Sequence, residues 1–337
     1  MSDKVEVTIA GAGSWGTTLA IMLASRDIPI TLWEYRPEAV RQMEIDRENR
    51  EFLPGYLFPP KIRLNSDLQA AAQDADFLLI AVPSHAVRST VARLSKGVPD
   101  KCIVISATKG IEEGSLLRMS EVLLQVWGGN VSADRIVALS GPSHAEEVIL
   151  GQPTTVVAAA HNIESAHQAQ RLLSSERFRV YAHNDVMGVE LGGALKNIIA
   201  IASGIAEGLS FGDNTRGALL TRGLAEITRL GVQLGGRPAT FAGLSGMGDL
   251  ITTCMSQHSR NRFVGEQIGR GRKLRDILAG MTMVAEGVRT TNSAYDLARR
   301  EDIVMPITEQ VHRILFEDVD PLQATMELMT RRLKVED

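Results

Sequence analysis

Ile9-Ala10-Gly11-Ala12-Gly13-Ser14-Trp15-Gly16-Thr17 is the stretch on which the fold turns. The apolar run before it (5–10) reads as a strand, and residues 15–25 carry helical spacing. The glycines therefore form a GxGxxG joint between the first strand of the chain and a helix, a setting that makes an otherwise weak motif specific. In that setting Gly11 permits a tight turn and Gly13 lets the backbone approach a pyrophosphate. Gly16 lets the helix pack closely on the strand. The amides at the start of the helix then meet phosphate charge. The second strand (30–33) runs into Glu34-Tyr35-Arg36. An acid about 20 residues after the glycines takes the ribose hydroxyls of NAD, whereas a nearby Arg accommodates the NADP phosphate. Both are present. Either Glu34 turns away and Tyr35 and Arg36 flank adenine and 2′-phosphate, or Arg36 is only a solvated charge at a helix start; the expectation leans to NADP(H), with NAD(H) tolerated.

Outward from the joint, short Val/Ile/Leu-rich runs at 77–82, 102–106, 136–140 and 154–159 continue the strands. Their lack of clean alternation suits strands covered on both faces. Helical patterns at 37–48, 85–95, 115–127, 143–150 and 163–174 lie between them. This βα rhythm predicts a Rossmann-like, doubly wound and mostly parallel α/β sheet. It stops near Tyr181, after which the chain reads as helical with Gly-rich joints at 235–236, 243–248 and 269–271. The expected division is a dinucleotide-binding domain at 1–185 and an all-α substrate domain at 186–337.

Composition narrows the function. The 337 residues are 44% hydrophobic and 23% charged, and 36 Lys+Arg against 40 Asp+Glu leave a net charge of −4. No basic surplus exists to drive nucleic-acid binding. The two cysteines, Cys102 and Cys254, have neither CxxC nor zinc spacing, and the histidines lack HExxH order. We expect no disulfide and no metal. The apolar runs 77–82 and 198–206 fall short of the roughly 20 residues of a membrane span, and no signal-peptide core follows the N-terminus. A soluble, cytoplasmic protein is expected.

Lys196 sits in the apolar stretch Leu191-Gly192-Gly193-Ala194-Leu195-Lys196-Asn197-Ile198-Ile199. An ammonium there loses solvation, which lowers its pKa toward the working range of a general acid/base. Snorkelling to the surface is the competing fate, weakened here by Gly192-Gly193, which allow another group to approach. Asp249 follows Gly243-Leu244-Ser245-Gly246-Met247-Gly248 and reads either as a helix N-cap or as a carboxylate orienting Lys196 and a substrate hydroxyl; spacing does not choose. Ser259-Arg260-Asn261-Arg262 offers a phosphate cradle. Lys109 and the Gly141-Pro142-Ser143-His144-Ala145 loop follow strands 102–106 and 136–140, at the carboxyl ends where open α/β sheets bind ligands. His144 reads as a turn residue, and Glu112-Glu113 and Glu146-Glu147 as solvated pairs. No GxSxG elbow is present, which disfavours a hydrolase triad.

Together, GAGSWGT (11–17), VPSH (82–85), SATKG (106–110), SGPSHAEE (140–147), GGALKNIIAI (192–201), RGLAEITRLG (222–231), GLSGMGDLITTC (243–254), SRNR (259–262) and AEGVRTT (285–291) stand in one order. In that order the chain closely resembles the bacterial NAD(P)-dependent glycerol-3-phosphate dehydrogenases, from about Val5 to Arg332. The resemblance implies reversible reduction of dihydroxyacetone phosphate to sn-glycerol 3-phosphate, feeding glycerophospholipid biosynthesis. It implies Lys196 as proton donor/acceptor. It implies cofactor contacts at Ser14, Trp15, the Tyr35–Arg36 position, Lys109, Ala145, Arg260, Val284 and Glu286. Substrate contacts are implied at Lys109, Gly141, Ser143, Lys196, Asp249, Ser259, Arg260 and Asn261. The Glu34-Tyr35-Arg36 stretch varies in that family, so cofactor choice does not carry over. A homodimer through the helical half is compatible with the sequence.

Overall fold

The computed structural model describes residues 5–94, 97–333 and 335. The βα rhythm becomes one eight-stranded sheet of β1 (Val7–Ala10), β2 (Ile30–Trp33), β3 (Ile62–Asn65), β4 (Phe77–Ile80), β5 (Ile103–Ser106), β6 (Ile136–Ser140), β7 (Thr154–Ala160) and β8 (Phe178–His183). The strand order is β3-β2-β1-β4-β5-β6-β7-β8, parallel throughout except for the antiparallel β6–β7 pair. Its first six strands follow the 3-2-1-4-5-6 order of the dinucleotide-binding fold, whose crevice lies at the carboxyl ends of the central strands. The interior strands β1, β4, β5 and β6 are almost wholly buried, which explains their unbroken apolar runs.

The six expected strands lie within a residue or two of these bounds. Two more were not expected. β3 (Ile-Arg-Leu-Asn) and β8 (Phe-Arg-Val-Tyr-Ala-His) are the sheet's edges, and in each an apolar residue alternates with an exposed or half-buried one. An edge strand covered on one face has no need of a continuous apolar run. The helix expected at 85–95 is a short 3₁₀ turn, Ser84–Ala86, followed by the helix Val87–Val91; Ser95 lies outside the described residues. The helix expected from 115 begins at Met119, because Leu116 takes a left-handed φ of 58° and the Glu121 carboxylate accepts the Arg118 amide at 2.9 Å. The acids expected to be solvated are partly engaged: Arg88 grips Glu112 through two bonds of 2.8 and 2.7 Å, and Arg289 reaches Glu113 at 2.5 Å.

Past β8 the described residues form helices only. The central one, Val186–Gly208, starts on Asp185, whose carboxylate accepts the amides of Gly188 and Arg237 (both 2.8 Å) and the Thr240 hydroxyl (2.6 Å). At 23 residues it is long and apolar enough to cross a membrane, contrary to the shorter run expected, yet 94% of its apolar window is buried inside the protein. It is a core helix, apolar all round because other helices surround it.

The helix Arg260–Gly269 lies against this core helix at backbone distance. A Cβ on Gly204 would stand 2.0 Å from the Arg262 carbonyl oxygen, and one on Gly265 would stand 2.0 Å from that of Ile201. Because the obstacle is backbone, the helices must separate to admit a methyl. Gly204→Ala should lower the urea midpoint of unfolding by the equivalent of about 1–3 kcal/mol with the m-value unchanged; an unchanged midpoint would show the two helices to be freely separable.

Candidate active site

The Gly-rich joint has the expected shape. Gly11 has a φ of 119°, and a Cβ on Gly16 would lie 1.9 Å from the Gly11 carbonyl oxygen, so helix Ser14–Ala24 seats on β1 only with glycine there. Gly13 has nothing within 4 Å of where a Cβ would point. The helix carries no side-chain cap and no acid in its first turn. Open space beside a glycine together with uncapped amides fits a pyrophosphate. Asn49, which the sequence analysis missed, braces the turn: its amide donates to the Ala12 carbonyl (2.7 Å) and to the Thr17 hydroxyl (2.9 Å).

A cleft of about 360 Å³ opens from Ala12 of this turn along the end of β2. Here Glu34 is buried and Arg36 is not free. The guanidinium donates from Nε to Glu34 Oε1 at 2.7 Å and through both terminal nitrogens to Glu51 at 3.2 and 2.9 Å. The expected arrangement, with Glu34 turned away and Arg36 available for a 2′-phosphate, is therefore not the one present. Tyr35 is exposed, with the Arg36 guanidinium 5.5 Å from its ring centre.

At the carboxyl ends of β5 and β6 the sheet meets the helical half. Lys109, just past β5, donates to the Gly141 carbonyl (2.9 Å) and to Asp249 Oδ2 (2.7 Å). Ser143 donates to the same carbonyl at 3.0 Å. Lys196, 5% exposed, donates to Asp249 Oδ1 and to the Thr253 hydroxyl, each at 2.5 Å. Two ammonium groups thus share one buried carboxylate. The close approach foreseen at Gly192-Gly193 is real: Cβ atoms there would meet the Ser245 carbonyl oxygen at 2.7 Å and the Ser140 hydroxyl at 2.3 Å.

Asp249 is the first residue of the helix Asp249–Met255 but does not cap it, since its side chain points to the two lysines. The orienting role, not the capping one, matches the geometry. Burial pushes the Asp249 carboxyl up, but Lys109 and Lys196 outweigh it and hold the pKa below the ordinary value. Burial brings Lys196 down to about 8, against the pull of Asp249 and with the help of Lys109. Thr253, one helical turn beyond Asp249, escaped the sequence analysis; an i, i+4 Asp-Thr pair was its only trace.

His144, read as a turn residue, stands beside this cluster. Burial and then the charges of Lys196 and Lys109 lower its pKa to about 4. Its ring lies 6.2 Å from that of His258, linking the 141–145 loop to the turn before Ser259. The SRNR segment divides. Ser259 caps its helix by accepting the Arg262 amide at 3.2 Å. Asn261 donates to Asn197 (2.9 Å) and accepts from the Gly287 amide (2.8 Å). Arg262 is committed to Glu207 and the Ser256 carbonyl. Arg260 forms no ion pair among the described residues and lies within electrostatic reach of Glu146 and Glu286.

Of the remaining expected cofactor residues, Glu286 accepts from the Ser84 amide (3.0 Å) and hydroxyl (2.5 Å), joining the β4 loop to the helix Glu286–Arg300. The Ser14 hydroxyl lies 3.8 Å from Met283 Sδ, next to half-buried Val284. Ala145 is buried at the start of the helix Ala145–Ile149. Trp15 is half-buried, its ring 6.4 Å from that of Phe178.

A sheet of the dinucleotide-binding order whose crevice meets a helical half bearing a buried lysine has the make-up of a nicotinamide-dependent oxidoreductase. Family models agree on which one: residues 6–166 match the NAD-dependent glycerol-3-phosphate dehydrogenase N-terminus, and residues 185–326 match its C-terminus. The chain belongs to this family. It is 50% identical over 330 residues to glycerol-3-phosphate dehydrogenase [NAD(P)+] of Prosthecochloris aestuarii, covering 98% of this chain and 99% of the relative. It is 51% identical to the Pelotomaculum thermopropionicum protein of the same name, covering 98% and 94%. The crystal structure of glycerol-3-phosphate dehydrogenase from Coxiella burnetii superimposes with a TM-score of 0.92 at 40% identity, over 97% of this chain and 99% of that one.

Proposed function

We propose that the protein reversibly reduces dihydroxyacetone phosphate to sn-glycerol 3-phosphate, the glycerophospholipid backbone, with a nicotinamide dinucleotide held mainly by residues 1–185 and the substrate held where that half meets the helical residues 186–337. The observation that carries this reading is the cluster of buried Lys196 and Asp249 with half-buried Lys109, set where the carboxyl ends of the strands meet the helical half. When bound, the reduced nicotinamide supplies the hydride. Lys196 donates a proton to the carbonyl oxygen as charge develops there. Asp249 and Thr253 fix the amine's direction, and Lys109 adds a second positive charge beside the same oxygen. Arg260 grips the phosphate, and the buried Ser259 and Asn261 hold its helix start rigidly, so that remote binding energy aligns the ketone. Gly141 and Ser143 line the substrate side. Ser14, Trp15, Ala145, Val284 and Glu286 belong to the cofactor side of this reading. A cytoplasmic homodimer completes it.

Purified protein given dihydroxyacetone phosphate and NADH or NADPH should consume the reduced nicotinamide, followed by its absorbance. Reduction of 3-oxo or tartronate-type acids with no turnover of dihydroxyacetone phosphate would instead assign a carboxylate substrate. The pKa of Lys196, about 8, fixes the sign of the pH dependence. Reduction needs the protonated amine, so kcat/KM for dihydroxyacetone phosphate should fall as pH rises through about 8. Oxidation needs the neutral amine, so kcat/KM for glycerol 3-phosphate should rise over the same interval. Profiles that are flat there, or that run in the same direction, would remove Lys196 from the proton transfer.

A further inference from the structure

Resting on the dehydrogenase reading, we infer that Glu34 and Glu51, by holding Arg36 between them, make the adenosine end of the cleft select NAD(H) against NADP(H). The two cofactors differ there by one group: NAD has a neutral ribose 2′-hydroxyl where NADP has a phosphate dianion. The ribose of a dinucleotide on a GxGxxG turn lies at the carboxyl end of the second strand. In this chain that place is the cleft shared by Ala12 of the turn and Glu34 just past β2.

Four carboxylates and two guanidiniums line the cleft: Glu34, Asp46, Glu48 and Glu51 against Arg36 and Arg50. Neither guanidinium is free of acid. Arg36 donates to Glu34 at 2.7 Å and to both Glu51 oxygens at 3.2 and 2.9 Å. Arg50 lies 3.4 Å from Glu48 and 3.6 Å from Asp46. A 2′-phosphate entering here finds a negative surplus. To reach Arg36 it must displace Glu51 and still lie near Glu34, and like charges at such range repel. A 2′-hydroxyl meets no such barrier, because a carboxylate is the acceptor that ribose hydroxyls use. Both bonds from Arg36 to Glu34, from its backbone amide and from Nε, fall on Oε1, which leaves Oε2 for the ribose. Glu51 stands 15 residues from Arg36, on the segment that Asn49 pins to the glycine turn, so the clamp is tied to the pyrophosphate site itself.

Calorimetric titration of the full chain with each reduced dinucleotide, without any triose phosphate, reads this discrimination apart from turnover. NADH should bind at least about tenfold tighter than NADPH, the size of one charge-assisted contact. Exposed Glu51 can be changed without disturbing the core, and Glu51→Gln should shrink the NADH:NADPH affinity ratio by about tenfold by releasing Arg36 to the 2′-phosphate. Equal or tighter binding of NADPH by the native protein would overturn the inference, and so would a ratio left unmoved by Glu51→Gln. Failure to bind either dinucleotide would overturn both this inference and the dehydrogenase reading. The predicted binding gap with no turnover of dihydroxyacetone phosphate would support the selectivity and sink only the substrate assignment.

Discussion

Lys196→Met leaves dinucleotide binding intact and lowers kcat for dihydroxyacetone phosphate reduction by about 10²–10⁴-fold, the usual contribution of a positioned general acid. Methionine suits the site in size and in its apolar surroundings. It is flexible, of similar length, and at home among the apolar residues that bury Lys196. Lys109 still pairs with Asp249, so the carboxylate keeps a counter-ion. The transferable proton is lost, together with the amine's bonds to Asp249 Oδ1 and the Thr253 hydroxyl. The check is a single-turnover measurement beside a dinucleotide titration and a thermal melt. A kcat within about fivefold of the native value would show that the amine is structural. Absence of turnover in the native protein, with dinucleotide bound, would point to a non-catalytic nucleotide sensor.

Asp249→Ala damages stability as well as chemistry. The carboxylate is 1% exposed and is the shared partner of two ammonium groups, at 2.5 and 2.7 Å. Removing one member of a buried charge set leaves the others uncompensated, which costs about 3–5 kcal/mol. Urea unfolding at neutral pH should show that loss. The deficit should shrink as pH rises, because a neutral Lys196 needs no counter-ion. Without Asp249 the largest influences that remain on Lys196, burial and then the charge of Lys109, both lower its pKa and outweigh the weaker pull of Cys254, so the descending limb of the reduction profile should move to lower pH. An unchanged melting curve and an unchanged profile would mean that Asp249 does not carry the cluster.

The parts legible in the sequence are those governed by local rules. The glycine joint, the buried strands and the switch from sheet to helices after β8 each leave a periodic or compositional mark within a dozen residues. Lys196 was legible because a charge inside an apolar helix is an anomaly that demands a partner. The partner's role was not, since a carboxylate at a helix start has two uses and only the fold decides whether a lysine 53 residues away comes within reach. The same holds for Arg36, whose availability depends on Glu51, and for Arg262, which reads as half of a phosphate fork but is committed to Glu207. Asn49 and Asn197 left no trace at all, because an amide that braces a turn or a helix pair looks like any polar residue until its neighbours are known.

The core helix Val186–Gly208 has a consequence for how the chain is made. It leaves the ribosome before the helices Asp213–Gln233, Arg260–Gly269 and Glu286–Arg300 that wrap it. Until they follow, much of an apolar segment of 23 residues lacks the helices that cover it. Synthesis that stalls just beyond Gly208 would release a fragment with that apolar surface uncovered, whereas in the completed chain 94% of the apolar window is buried.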